Sequence, residues 1–242
     1  MDNPGVVVVT GGGRGIGREI SLRLARAGHD VVIGYRSDAD SAGSVAGEIR
    51  AMGLRALCVQ VNTVDEASVA AFFEAAAAFG PVTGVVNNAG AATAVGRLAD
   101  NDLAAVHRDL DVNLFGVLVC CKYAQAALEQ SGGGAIVNIS SAAATLGSPG
   151  TYVHYAAAKA GVDALTVGLS KELAPGIRVN TVSPGTVWTD FHQDPDRPAQ
   201  VARSIPLGRA GEPAEIAGAV AWLLSEEAGY VTGTNIRVAG GL

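Results

Sequence analysis

The sequence predicts a doubly wound α/β fold, one parallel sheet of about seven strands with helices on both faces. Two observations carry this prediction. Short β-branched runs alternate along the chain with stretches whose apolar residues recur at helical spacing. The strand-like runs are also apolar almost throughout, as strands are when crossover helices bury them on both faces.

Taken in order, "GVVVVTG" is the first strand, and the glycine-rich "TGGGRGIG" turns it into the helix "IGREISLRLARAG". "DVVIGYR", "RALCVQV" and "TGVVNNA" follow as strands, separated by the helices "SVAGEIRAMG" and "SVAAFFEAAAAFG". "GAIVNIS" and "IRVNTVS" are the fifth and sixth strands. "YAAAK" lies between them on an alanine-rich helix, and the helix "EIAGAVAWLLS" precedes the last strand, "TNIRVAG". The 242 residues form a single domain over 1–242, because no linker, like-charge block or internal repeat divides them. The stretch "DFHQDPDRP", Asp190 to Pro198, is expected to be the most flexible.

Composition excludes several classes of function. A formal charge of −6 without basic clusters argues against nucleic acid or anionic membrane as the main partner. No apolar run has transmembrane length and the N-terminus lacks a cleavable leader pattern, so a cytoplasmic protein is expected. Cys58, Cys120 and Cys121 lack metal or redox spacing and read as buried apolar residues. His29, His107, His154 and His192 are dispersed, and no metal is expected.

In such sheets, ligands bind beyond the carboxyl ends of the strands. Gly11, Arg14, Gly15, Ile16 and Gly17 occupy the first of these turns. Glycines at the start of a helix let backbone N–H groups approach a phosphate there. In "HYAAAKAG", Tyr155 and Lys159 are four residues apart on one helix face, so an ammonium stands beside a phenol. Such a charge is expected to lower the phenol's pKa and make it a general acid/base. Tyr152 has Ala156 four residues on and cannot form this pair. No acid closes the second strand to bind a ribose 2′-hydroxyl. Tyr35 and Arg36 stand there instead, with Arg14 in the glycine turn, and two guanidiniums suit a 2′-phosphate. NADP(H) is therefore the expected cofactor, with NAD(H) left open if both arginines are merely exposed.

The series "TGGGRGIG", "NNAG", Asn113 in "LDVNLFG", "ISS", "YAAAK" and "SPGTVWT" resembles the short-chain dehydrogenase/reductase family over nearly the whole chain. The resemblance implies a Rossmann fold and hydride transfer between a nicotinamide and a small carbonyl or alcohol substrate. It most resembles β-ketoacyl carrier protein reductases and sugar or polyol dehydrogenases.

By this resemblance Tyr155 exchanges the substrate proton, Lys159 also binds the nicotinamide ribose, and Ser141 hydrogen-bonds the substrate oxygen. Ser140 is the competing serine, and the loop from Ser141 to Tyr155 is one residue longer than the family's commonest form. Asn113 anchors a water of a proton relay, or else packs as a satisfied polar residue. Asn62, where the family has an aspartate, contacts adenine, Thr63 is a further cofactor-binding residue, and Asn88, Ala89 and Gly90 line the adenosine ribose. Pro184 and Gly185, also cofactor-binding, turn the chain after the sixth strand, and Thr186, Val187 and Thr189 face the carboxamide.

Residues 188–205 form a substrate lid, with Trp188, Phe191 and His192 as candidate lining residues, or else an exposed loop. The family pattern also implies a homotetramer, built through the last strand with its neighbouring helix and through the helices that carry Asn113 and Tyr155. An inert nucleotide-binding member with a regulatory or assembly role is the alternative, and the intact Asn113, Ser141, Tyr155 and Lys159 speak against it.

Overall fold

The computed structural model describes residues 5–191 and 194–242. The expectation for His192 falls outside them. The first half of the chain runs β1 (Val6–Thr10), α1 (Gly15–Arg26), β2 (Asp30–Tyr35), α2 (Ala39–Ala51), β3 (Ala56–Gln60), α3 (Glu66–Phe79) and β4 (Val82–Asn87). There follow α4 (Leu103–Leu110), a π-helical turn (Asp111–Phe115), α5 (Gly116–Gln130), β5 (Gly134–Ile139), α6 (Ala143–Leu146) and α7 (Val153–Glu172). β6 (Ile177–Pro184), α8 (Arg197–Val201), α9 (Pro213–Leu224) and β7 (Asn235–Val238) complete the chain. Every predicted strand forms.

The seven strands pair in parallel in the order β3-β2-β1-β4-β5-β6-β7. The direction of winding reverses between β1 and β4, and a crevice opens at their carboxyl ends. β1 shows why the strands are apolar throughout: Val7 and Val9 pack into the layer that contains α1, α2 and α9, and Val6 and Val8 into the layer of α3, α5 and α7. Successive strand side chains point to opposite faces, so a strand covered on both sides needs an apolar residue at each position.

The helix starts follow capping chemistry. Asp65 accepts hydrogen bonds from the N–H groups of Ala67 and Ser68, and Asp102 from those of Ala104 and Ala105. Glu212 and Glu215 make a reciprocal capping box around Pro213. α1 differs, since Arg14 at its start makes no side-chain cap and no acid stands in the first turn. In the stretch expected to be most flexible, Arg197 and Pro198 instead open α8, and Pro198 is buried. Proline is pre-organised for a first helical turn.

Candidate active site

The ends of six strands, β1 to β6, build one cavity of about 510 Å³. The turn after β1 is fastened to the turn after β4. Asn88 donates from its side chain to the carbonyls of Thr10 and Gly11, at 3.0 and 3.1 Å. The backbone N–H groups of Asn88 and Ala89 donate to the Thr10 hydroxyl, at 3.0 and 3.1 Å. The packing leaves no room for side chains: a Cβ on Gly17 would stand 2.1 Å from the Gly11 carbonyl oxygen, and Gly11 itself has φ +64°. Uncapped helix N–H groups behind a glycine turn form a cradle for phosphate, so these residues fit the diphosphate of a dinucleotide.

Gly11, Arg14, Gly15, Ile16 and Gly17 all line the cavity, as do Tyr35, Arg36, Asn62, Thr63, Asn88, Ala89 and Gly90. Pro184, Gly185, Val187 and Thr189 line it on the far side, after β6. Arg14 and Arg36 are exposed, and neither enters an ion pair among the described residues.

Ser37, Asp38 and Ser41 also line this end, which the sequence reading did not anticipate. Asp38 is the first acid after β2. Both of its oxygens are taken, however, by the N–H of Ser41 at 3.0 Å and its hydroxyl at 2.7 Å, and those bonds hold the carboxyl below its usual pKa. It caps α2. An Asp three residues before a Ser at a helix start is the signal that finds it.

Beyond β5, Ser141, Tyr155 and Lys159 share the cavity wall. The two serines separate by role. Ser140 is buried and donates to the Lys159 carbonyl at 3.0 Å, so it packs α7 against β5. Ser141 lines the cavity, accepts from the Ala143 N–H at 3.1 Å, and stands near enough to the Tyr155 phenol to pull its pKa down. Tyr155 is 7% exposed, with Tyr152 edge-on at 5.0 Å between ring centroids and Phe191 at 5.8 Å.

One expectation is corrected. The phenol is pushed above its ordinary value, first by burial and then by Tyr152, with only Ser141 pulling it down. Lys159 lies close, its ammonium 5.6 Å from the Tyr155 ring centroid, but it donates to the Ile139 carbonyl at 2.9 Å. Burial lowers Lys159 itself to about 8, against a smaller upward pull from Asp163. Desolvation disfavours the charged form of both groups.

Asn113 does not reach the cavity. It is fully buried in the π-helical turn, where Gly116 N–H donates to the Asp111 carbonyl. Its amide group donates to the carbonyls of Ala91 and Asp109 and accepts from the Ala91 N–H. It therefore holds the segment after β4 from behind the wall.

Asp109, one helical turn earlier, does the same. It accepts from the N–H groups of Thr93 and Ala94, from the Thr93 hydroxyl at 2.7 Å, and lies 3.2 Å from His154 Nε2. His154 directly precedes Tyr155. This buried pair joins the β4 segment to the helix of the tyrosine, and the sequence reading missed it because 45 residues separate the partners.

Fold and site together define a nicotinamide-dependent oxidoreductase of the doubly wound α/β class. A family model described as enoyl-(acyl carrier protein) reductase matches residues 11–242. The oxidoreductase YgfF of Escherichia coli K12, described as uncharacterized, is 43% identical over 244 residues, covering 98% of this chain and 99% of that one. The 3-oxoacyl-[acyl-carrier-protein] reductase FabG of Staphylococcus aureus is 38% identical over 241 residues, covering 97% of this chain and 96% of that one. A blue fluorescent protein from a metagenomic library, solved in complex with NADPH, superimposes with a TM-score of 0.92 at 36% identity, covering 99% and 98% of the two chains. The chain belongs to the short-chain dehydrogenase/reductase family.

Proposed function

We propose that the protein is a reductase of small ketones, working with NADP(H) in preference to NAD(H), and in reverse a dehydrogenase of secondary alcohols. The observation that carries this reading is that Ser141, Tyr155 and Lys159 line one cavity wall, with the Lys159 ammonium 5.6 Å from the Tyr155 ring centroid. When bound, the nicotinamide supplies or accepts the hydride. Ser141 donates to the carbonyl oxygen, where negative charge develops. Tyr155 gives that oxygen its proton. A phenol raised by burial holds its proton at neutral pH, the form that donates to the carbonyl oxygen. Lys159, close to neutrality in its own titration, passes a proton toward the phenol and binds the nicotinamide ribose.

Arg14 and Arg36 receive the 2′-phosphate, the glycine turn the diphosphate, and Asn62 and Thr63 the adenine. Asn88 to Gly90 take the adenosine ribose, and Pro184, Gly185, Val187 and Thr189 the carboxamide. Asn113 acts by positioning Ala91, and any relay water is held by its main chain, because its amide is already committed.

The protein works in the cytoplasm as a homotetramer. Phe115 and Leu118 near the start of α5, Val167 on α7, and Trp222 and Tyr230 near β7 are exposed apolar or aromatic residues on the faces that would associate. NADPH consumption over ketoacyl thioesters, keto sugars and cyclic ketones, with Tyr155→Phe as control, tests the reading. At least one ketone is turned over, and the variant loses roughly 10²–10⁴-fold of that rate. A panel that is inert throughout, or a variant with near-normal turnover, refutes it.

A further inference from the structure

The sheet order gives the cavity two ends. Arg14 and Arg36 stand over β1 and β2, Lys159 and Tyr155 near β5, and the chain after β6 closes the other side. Two of these cations await a cofactor phosphate, and Lys159 has the Ile139 carbonyl. A fourth, Arg197, has no such assignment. It opens α8 and lines the cavity near Phe191, whose ring packs on Tyr155.

Arg197 is half-buried, its Nε is buried with no hydrogen-bond partner among the described residues, and the guanidinium enters no ion pair among them. Arg18, Arg55 and Arg209, by contrast, each pair with a carboxylate. Asp190 lies on the same wall but is exposed and does not pair with it. A buried N–H left without an acceptor is costly, and an anion entering the cavity removes that cost.

We propose that Arg197 determines specificity by binding an anionic head group of the substrate, a carboxylate or a phosphate set apart from the reacting carbonyl. The planar guanidinium fork matches either group with paired donors. Leu146, Phe191 and Val201 line the cavity as well and give the remainder of the substrate apolar contact. The ligand is thus an oxo acid or a phosphorylated ketone with an apolar spacer. The assignment rests on the ketone-reductase reading.

The test is steady-state kinetics with NADPH on three ketones of matched length: an oxo carboxylate, its methyl ester and a phosphate monoester. Wild type, Arg197→Gln and Arg197→Lys are compared. The expected result is a kcat/KM for one anionic ketone at least about tenfold above that of the ester, expressed in KM. Arg197→Gln lowers the anionic substrate about tenfold or more beyond any effect on the ester, and Arg197→Lys recovers part of the loss. The better of the two anions identifies the head group. Equal losses on acid and ester, weakened NADPH binding in Arg197→Gln, or a wild-type preference for the ester overturns the proposal. Should no ketone consume NADPH, the reductase reading fails separately, and calorimetric titration of the oxo carboxylate decides the site. Saturable binding lost in Arg197→Gln upholds it, and equal or absent binding rejects it.

Discussion

Lys159→Met separates what the lysine costs the fold from what it does in the site. The side chain is 3% exposed, and burial moves its pKa from the ordinary 10.5 to about 8. That difference corresponds to about 3 kcal/mol of penalty on the charged form, at ~1.4 kcal/mol per pKa unit. The penalty is felt in full below pH 8, where the lysine is protonated both folded and unfolded. Between pH 8 and 10.5 the unfolded chain binds the extra proton, so this contribution to stability rises with pH.

A methionine of similar shape carries no charge at any pH. The variant is therefore more stable than wild type at pH 7, by up to about 3 kcal/mol less about 1 kcal/mol for the lost hydrogen bond to Ile139. This advantage shrinks as pH rises through 8 toward 10.5. Urea unfolding of both proteins at equal concentration, from pH 6.5 to 10, measures the difference, and other titrating groups cancel in it. Activity falls by orders of magnitude at every pH. A stability difference that stays constant across this range would refute the buried-charge argument.

Arg36→Asp combined with Arg14→Ala removes both guanidiniums from the 2′-phosphate and supplies an acceptor for a ribose hydroxyl, so NADPH weakens and NADH gains relative to it. Comparison of kcat/KM for the two cofactors checks this, and an unchanged ratio contradicts the assignment. Asp109→Ala leaves the donors of Thr93, Ala94 and His154 without their acceptor in a buried region and destabilises the fold by roughly 3 kcal/mol in equilibrium unfolding, with turnover lowered because the segment beside Tyr155 loosens. A change within ~0.5 kcal/mol would show that the network carries no such weight. Sedimentation equilibrium at micromolar concentration finds a tetramer, and a fully active monomer excludes one.

Local chemistry made much of this protein legible. Apolar, β-branched runs such as β1 became strands because a two-sided strand needs an apolar residue at nearly every position, a property that a short segment carries within itself, whereas the edge strand β7 alternates, with Asn235 and Arg237 exposed. The glycine turn was readable for the same reason, since Gly11 takes a positive φ and Gly17 lies where any Cβ would strike backbone. The helical spacing of Tyr155 and Lys159 placed both on one wall.

Properties that depend on surroundings belonged to the tertiary structure. Spacing alone suggested that Lys159 lowers the Tyr155 pKa, whereas burial raises the phenol, and burial is a sum over distant segments that include Phe191. Which serine stands near the tyrosine depended on how β5 enters α6, and Asn113 turned behind the wall because a π-helical turn rotates it there. The Asp109–His154 pair and the unpartnered Arg197 have no signature in sequence order. A hydrogen bond or its absence is fixed by which segments the sheet order brings together, and strand pairing across long crossovers is what decides that.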